Sequence, residues 1–135
     1  MTGLPDSGLT GISPNALTGT LTSSGLLQRD LPGAQVVKVF NNIFFRHLGS
    51  LGRPHGAPDR SALPVAGDDA QAKAAVTAFL DSIGYDAVDA GPLAESWRQE
   101  PGTPAYGTPY GPFSDEAGTP AGAAKIRVDL IGAHR

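Results

Sequence analysis

The sequence predicts an α/β fold, a partial doubly wound parallel sheet of about three strands with flanking helices. Two observations lead to this prediction. Between residues 34 and 90, runs rich in β-branched side chains alternate with runs of helical periodicity, in the order strand, helix, strand, helix, strand. Glycine and proline, at 18 and 12 of 135 residues, are concentrated on either side of this region. Strands joined by short connections through helices favour parallel pairing with right-handed crossovers.

Composition divides the chain into four parts. Residues 1–19 are expected to form an irregular leader, because single leucines alternate there with Gly, Pro, Ser and Thr and no period emerges. The folded centre is expected at 20–100, a Gly/Pro-rich loop at 101–122 and a terminal helix at 123–135. A chain of this length can form one domain that buries roughly two thirds of its unfolded surface.

The predicted strands are short. They are "AQVVKVF" at 34–40, "SALPVAG" at 61–67 and "YDAVDA" at 85–90, each bounded by residues that favour turns. Pro64 argues against a central position for the second strand, because proline has no N–H to donate to a ladder.

Helices are predicted between the strands and after them. "NNIFFRHL" has one apolar helical face, and "LAESWRQE" is expected to form a short helix. The clearest pattern is "DDAQAKAAVTAFLDSIG", with Asp68 as the N-cap, Gln71 completing a capping box and Gly84 at the left-handed end. Its apolar stripe consists of Ala72, Ala75, Val76, Phe79, Leu80 and Ile83.

Composition also excludes several classes of function. The chain has no cysteine, which rules out disulfides and thiolate chemistry and is consistent with a cytoplasmic location. A net charge of −3 without blocks of like charge gives no electrostatic case for nucleic acid or an anionic membrane. No apolar run has the roughly 18 residues of a membrane helix, and the N-terminus is not a secretory signal. The histidines are scattered and form no pair with metal-ligand spacing, so no metal site is expected.

Candidate ligand contacts follow each predicted strand. In an open parallel sheet, ligands bind outside the carboxyl ends of the strands. That rule selects Asn41 and Asn42 after the first strand, the segment 67–69 after the second and the segment 89–93 after the third. Each has a structural alternative: the asparagines and aspartates are competent helix caps, and Gly91-Pro92 forms a turn in any case.

Two further features leave alternatives open. Tyr106, Tyr110 and Phe113 in the Gly/Pro-rich loop could cover a flat ligand or attach the loop to the core. The chain contains neither G-x-G-x-x-G nor G-x-x-x-x-G-K-[ST], so the first nucleotide-binding half of a doubly wound fold is not recognisable in it.

Three stretches together resemble a known family. They are "LPGAQVVKVFNNIFFRHL", "ALPVAGDDAQAKAAVTAFLDSIGYDAVDAGPLAESW" and "PGTPAYGTPYG", within about residues 20–112. They are similar to the C-terminal half of the NADP-dependent coenzyme F-420 (deazaflavin) reductases, a family of dinucleotide-binding NADP oxidoreductases. The resemblance implies part of a Rossmann-like domain and hydride transfer between NADP(H) and coenzyme F-420, with a flavin as the alternative to the deazaflavin.

The resemblance also implies site residues and partners. Asn41, Asn42 and Phe45 would lie near the nicotinamide or deazaflavin, and Gly91, Pro92 and Leu93 would line the deazaflavin side. Because the half that holds most of NADP is missing, the chain is expected to be a truncated or split form, inactive alone, that associates as a homodimer or with a separate Rossmann half. The alternative is a non-catalytic piece that docks on a complete reductase subunit or on such a half.

Overall fold

A computed structural model describes residues 35–134. The predicted leader at 1–19 lies outside the described residues. The elements follow in the order β1 (Val37–Lys38), α1 (Phe45–Ser50), β2 (Ala62–Gly67), α2 (Ala70–Ser82), β3 (Asp86–Asp89), a 3₁₀ helix at Leu93–Gln99, a second 3₁₀ helix at Thr108–Tyr110 and α3 (Ala123–Ile131). We call the two 3₁₀ helices the Leu93 helix and the Thr108 helix.

The three strands form one sheet in the order β1-β2-β3, and helices flank it. The predicted α/β class, with a partial sheet of three strands, is therefore confirmed. β2 and β3 are parallel, with Ala62 opposite Asp86 and Val65 opposite Asp89. All six residues of β2 are buried, so the central strand is the middle of the core.

The direction of the first strand differs from the prediction. β1 pairs with β2 antiparallel, with Val37 opposite Gly67 and Lys38 opposite Ala66, so the sheet is mixed. The expectation of an all-parallel sheet was wrong at this strand. The segment 39–61 is long enough for a parallel crossover, but such a crossover usually runs through a helix that packs on one face of the sheet. The segment between β1 and β2 contains only the six-residue helix α1.

Pro64 explains why β1 is so short. Ala90 N donates to Val65 O, so the backbone groups of Val65, and those of Leu63 two residues before it, are directed towards β3. Because alternate residues of a strand direct these groups to opposite sides, the backbone groups of Pro64 are directed towards β1. Continuing the register from Lys38 and Ala66 would place Phe40 opposite Pro64, which has no N–H to donate. Phe40 instead adopts a left-handed φ of 71°, and the chain leaves the sheet there.

Helix α2 begins one residue later than predicted. Asp69, not Asp68, is the N-cap, and its carboxylate accepts a hydrogen bond of 2.8 Å from the N–H of Ala72. With Asp69 as the N-cap the N3 residue is Ala72, so the predicted capping box with Gln71 is absent. The end was predicted correctly, since Gly84 has a φ of 101°. Of the predicted apolar stripe, only Val76 and Leu80 are buried, whereas Phe79 is 48% exposed.

The core lies on both faces of the sheet. Val76 and Leu80 of α2 and Ile126 and Leu130 of α3 are among its members. Tyr85 and Tyr110 are fully buried and donate their hydroxyls to the backbone carbonyls of Leu48 and Ala62. The Gly/Pro-rich segment therefore contributes Tyr110 to the core. Of the two alternatives for this residue, covering a ligand or attaching the loop to the core, the structure shows the second.

Helices in the described part of the chain are too short or too polar to cross a membrane.

The end of α2 generates a stability prediction. A Cβ on Gly84 would lie 2.6 Å from the backbone N of Arg53, in addition to the strain of φ +101°. Gly56 has a similar φ of +83° but nothing within 4 Å of its Cβ position. Gly56→Ala should cost about 1 kcal/mol in the free energy of unfolding, and Gly84→Ala clearly more. Urea denaturation of both variants measures the difference. Equal losses would show that the close packing at Gly84 contributes nothing.

Candidate functional site

The turns after β2 and β3 are joined by hydrogen bonds. Gly91 has a φ of 91°, a conformation that favours glycine, and its N–H donates to Asp89 Oδ1 at 2.8 Å. Its carbonyl accepts the N–H of Gly67 at 3.0 Å. The carboxylate of Asp68 accepts the N–H of Leu93 at 3.0 Å, so it anchors the start of the Leu93 helix. These turns form a rigid carboxyl edge.

The three predicted residues of the Gly-Pro-Leu turn have different environments. Leu93 is 2% exposed, so its side chain packs inside the protein. Gly91 is partly buried, and Pro92 is exposed. Among the three, Pro92 is the residue most available to a surface ligand, since the Glu95 side chain lies 3.9 Å from the Cβ position of Gly91. Their role as cofactor contacts stays a prediction.

Asn41 and Gln99 are joined by two hydrogen bonds. The Asn41 amide donates to the carbonyl of Gln99 at 2.8 Å, and the Gln99 amide donates to Asn41 Oδ1 at 3.0 Å. The same Gln99 amide lies 3.4 Å from the carbonyl of Pro64, which has no partner strand at that point. This pair attaches the end of the Leu93 helix to the chain that follows β1.

Asn42 is part of the core. It is 1% exposed and donates to the carbonyl of Ala105 at 2.9 Å and to the hydroxyl of Tyr110 at 3.1 Å. The Tyr110 hydroxyl in turn donates a hydrogen bond to the carbonyl of Ala62 at 2.8 Å. Neither Asn41 nor Asn42 caps α1, since Phe44 occupies the N-cap position without a side-chain bond. Burial raises the pKa of Tyr110, so its hydroxyl remains a donor.

Phe45 is one of the exposed residues among the predicted site residues. It is 69% exposed, lies edge-on to Phe44 with ring centres 4.9 Å apart and carries the guanidinium of Arg46 over its ring at 5.4 Å. Phe44 also stacks on Phe113 of the Gly/Pro-rich segment at 4.6 Å.

The antiparallel direction of β1 separates the predicted residues into two groups. Asn42 is bonded through Tyr110 to the first residue of β2, whereas Gly91 is bonded to Gly67, the last residue. At about 3.3 Å per residue, the two ends of β2 are on the order of 17 Å apart. The expectation that all three turns meet at one edge of the sheet was therefore wrong for Asn41 and Asn42.

Sequence reasoning missed a buried ion pair. Lys38 in β1 is 4% exposed, and its Nζ lies 2.7 Å from Glu100 Oε2. Burial lowers the pKa of Lys38, and the hydrogen bond to Glu100 opposes that shift. The sequence contained a signal for a buried charge, because a single lysine stands within the β-branched run at 36–39. Two buried atoms nearby on the Leu93 helix, Ser96 Oγ and Gln99 Oε1, have no hydrogen-bond partner in the described structure.

Two grooves flank the end of β3, one on each face. The α2 groove has a volume of about 340 Å³. It is lined by Ala70, Lys73, Ala74 and Thr77 of α2, by Val65, Ala87 and Asp89 of the strands and by Asp68 of the turn after β2. The α3 groove has a volume of about 400 Å³ and is lined by Val88, Ala90, Arg98, Arg127, Leu130 and Ile131. Among residues 35–134 no group of three His, Cys, Asp or Glu side chains could hold a metal ion.

Comparison with known proteins supplies partial matches. No family model matches the chain. It is 43% identical over 53 residues to the "Putative protein YjhV" of Escherichia coli (strain K-12), a match that spans 39% of each protein. It is also similar to the crystal structure of a "putative F-420-dependent NADP-reductase" from Arthrobacter sp. FB24, with 32% identity and a TM-score of 0.50. That likeness covers 58% of this chain and 35% of the solved chain, so the chain spans about a third of that structure.

The turn at Gly91 generates a prediction about pH. The Gly91 N–H, followed by the Lys73 ammonium at 3.0 Å, holds the pKa of Asp89 below its ordinary value. A carboxyl with a lowered folded-state pKa stabilises the fold above the unfolded value of about 3.9 and loses that contribution as the pH falls through the folded value. Carboxyl NMR titration should show a lowered pKa for Asp89. Lys73→Met should remove only part of that shift, because the Gly91 bond is the larger cause; a full return to the ordinary value would contradict this order.

The burial of Asn42 generates a second prediction. Asn42→Ala removes the donor to Ala105 and Tyr110 inside the core, and should cost about 2 kcal/mol of unfolding free energy. Phe45→Ala, at a residue 69% exposed, should change it by less than about 0.5 kcal/mol. Thermal denaturation of the two variants tests the contrast. If Asn42→Ala leaves the stability unchanged, the structural role of Asn42 would be contradicted, and a role as a ligand contact would be favoured.

Proposed function

We propose that this chain is the deazaflavin-side part of an NADP oxidoreductase of the coenzyme F-420-dependent type. In such an enzyme a hydride passes between NADP(H) and the deazaflavin. The observation that carries the proposal is the 32% identity over 58% of the chain to the Arthrobacter protein described above. The similarity to the family in the stretches around Asn41 and Gly91 supports the same proposal.

The α2 groove fits one face of a flat ring. Its volume of about 340 Å³ lies at the lower end of the range for small-molecule sites. Val65, Ala70, Ala74 and Ala87 give it small apolar walls beside the carboxylates of Asp68 and Asp89. The hydrogen-bonded turn at Gly91 and Pro92 follows β3 at the same edge of the sheet. When bound, the deazaflavin would supply the hydride-carrying carbon, and the chain's own contribution would be to bind and orient the ring.

The residues fit the cofactor only in part. Asn42 directs its amide into the core, and Asn41 is paired with Gln99, so neither has a donor directed at the α2 groove. The proposal therefore rests on Gly91, Pro92 and the groove. Four residues remain predicted cofactor contacts. Asn41, Asn42 and Phe45 are predicted to contact the nicotinamide or the deazaflavin, and Leu93 is predicted to contact the deazaflavin. A flavin in place of the deazaflavin is an alternative that the binding experiment includes.

The nucleotide half is the second part of the proposal. The 135 residues contain no pyrophosphate-binding turn, so NADP(H) would be held by another polypeptide or by another part of a longer chain. A separate Rossmann half or a homodimer is the proposed partner, and the cytoplasm the proposed location. The alternative function is that of a non-catalytic piece that docks on such a half or on a complete subunit. This alternative is favoured by the coverage of the match, which includes only 35% of the Arthrobacter chain.

A cofactor titration tests the proposal. The purified chain should bind coenzyme F-420 weakly and NADPH not at all, as measured by fluorescence, with FMN as a third ligand. Ala74→Phe fills the α2 groove from an exposed helix position and should weaken F-420 binding by about tenfold or more. Ala75→Phe, at the next exposed position of the same helix and outside the groove, is the matched control and should leave the affinity unchanged.

Mixing with a nucleotide-binding half separates the two functions. The chain should be titrated alone and together with the part of the Arthrobacter protein that it does not match. Hydride transfer in the mixture would support the reductase, and co-elution without hydride transfer would support the docking piece. Micromolar NADPH binding by the chain alone, or no F-420 binding in either sample, would contradict the reductase proposal.

A further inference from the structure

The outer edge of β3 has unpaired backbone groups. Asp86 N and Ala90 N donate to Ser61 O and Val65 O of the neighbouring strand segment. Since alternate residues of a strand direct their backbone groups to opposite sides, Ala87 and Asp89 direct their N–H and C=O groups away from β2. β3 is the last strand in the sheet order, and no described strand pairs with that side. An exposed edge of this kind is a template for another strand.

Exposed apolar side chains lie beside this edge. Ile131 is 78% exposed and lines the α3 groove together with Val88, and Val128 on the same helix is 65% exposed. Ile131 has the largest exposed fraction among the large hydrophobic residues of the described chain. Covering these side chains would remove apolar surface from water at the same time as the backbone edge is paired.

The charges along the edge are complementary to a copy of themselves. Asp86 stands at one end of β3, with its side chain 49% exposed although it accepts from Arg60. Arg127 and Arg98, which is itself paired with Glu95 at 2.9 Å, line the α3 groove beside Ala90 at the other end. In an antiparallel pair related by a two-fold axis at Val88, Asp86 of each chain would stand opposite Ala90 of the other, next to the two arginines.

The remaining positions agree with this register. Val88 would stand opposite Val88 of the second copy, on the same face as Ile131. Asp89 would stand opposite Ala87 on the other face, where its charge is already paired with Lys73 at 3.0 Å. No two carboxylates would face each other, and the outward groups of Ala87 and Asp89 would form four inter-chain hydrogen bonds, as the pattern of an antiparallel ladder requires.

We propose that β3 pairs antiparallel with β3 of a second copy of this chain, centred on Val88, and so forms a continuous six-stranded sheet with a self-complementary interface. The proposal specifies the homodimer named under the proposed function, on which it rests in that respect, and requires no cofactor, so its test is independent of F-420 binding. It selects one edge and one register for self-association, and places Ala87 and Asp89 of the copy beside the α2 groove.

Sedimentation velocity of the full chain tests this proposal. Samples from about 1 µM to about 500 µM should change from the mass of one chain towards twice that mass. Ile131→Glu places a charge in the interface from an exposed position and should weaken dimerisation by about a hundredfold. Phe113→Glu, at a residue 55% exposed in the Gly/Pro-rich segment, is the control and should leave the dimer intact.

A backbone variant tests the register. Ala87→Pro removes an N–H that points away from β2, so it should abolish the dimer and retain the circular dichroism of the folded chain. In the parent protein, the Ala87 and Asp89 amides should be protected from hydrogen exchange at high concentration and unprotected at low concentration. A chain that remains monomeric up to about 500 µM, or a dimer that Ile131→Glu leaves unchanged, would overturn the proposal. So would amides at 87 and 89 that exchange equally at both concentrations.

Discussion

The pairing of β2 on both sides, in opposite directions, is the constraint on which the rest of the structure depends. The strand is buried throughout, so each of its backbone groups needs a partner inside the protein. β3 supplies partners along its whole length, but β1 does so for only two residues, because Pro64 cannot continue the ladder. Side chains complete what β1 leaves open: the Tyr110 hydroxyl bonds the carbonyl of Ala62, and the Gln99 amide reaches the carbonyl of Pro64.

These substitutes for a longer strand explain why the irregular part of the chain is well packed. Tyr110 comes from the Thr108 helix within the Gly/Pro-rich segment, and Gln99 from the Leu93 helix. Each is held in turn by an asparagine that follows β1. The Asn41-Asn42 pair thus connects the two segments that finish the sheet, and the buried Lys38–Glu100 ion pair connects β1 to the end of the same Leu93 helix. A buried ion pair is weak evidence for stability, but here it adds a directional link at a junction with little regular structure.

The mixed sheet also decides what kind of site the chain can offer. A ligand at the carboxyl edge meets the turns after β2 and β3, where Asp68 and Asp89 hold the backbone of Leu93 and Gly91 in place. The asparagines lie towards the other end of β2, where Asn42 is buried and Asn41 is bonded to Gln99. The chain by itself therefore offers one wall of the proposed binding site, formed by the turn at Gly91 and the α2 groove beside it, and an open strand edge at β3. A site with only one wall is consistent with the short share of the similar Arthrobacter structure that the chain covers.

The sequence by itself determined the α/β class, the approximate positions of the three strands and the main helix, and the left-handed glycine at 84, because periodicity and turn chemistry are local properties. It also located the turn at Gly91 correctly, since a strand end followed by Gly-Pro has few conformations. Only the tertiary structure decided the direction of β1, the choice of Asp69 over Asp68 as the cap, and the burial of Asn42 and Leu93. These depend on which distant groups compete for the same partner: Leu93 N–H occupies Asp68, and Pro64 denies β1 a longer ladder. Such competition between residues far apart in the chain leaves no periodic signal in the sequence.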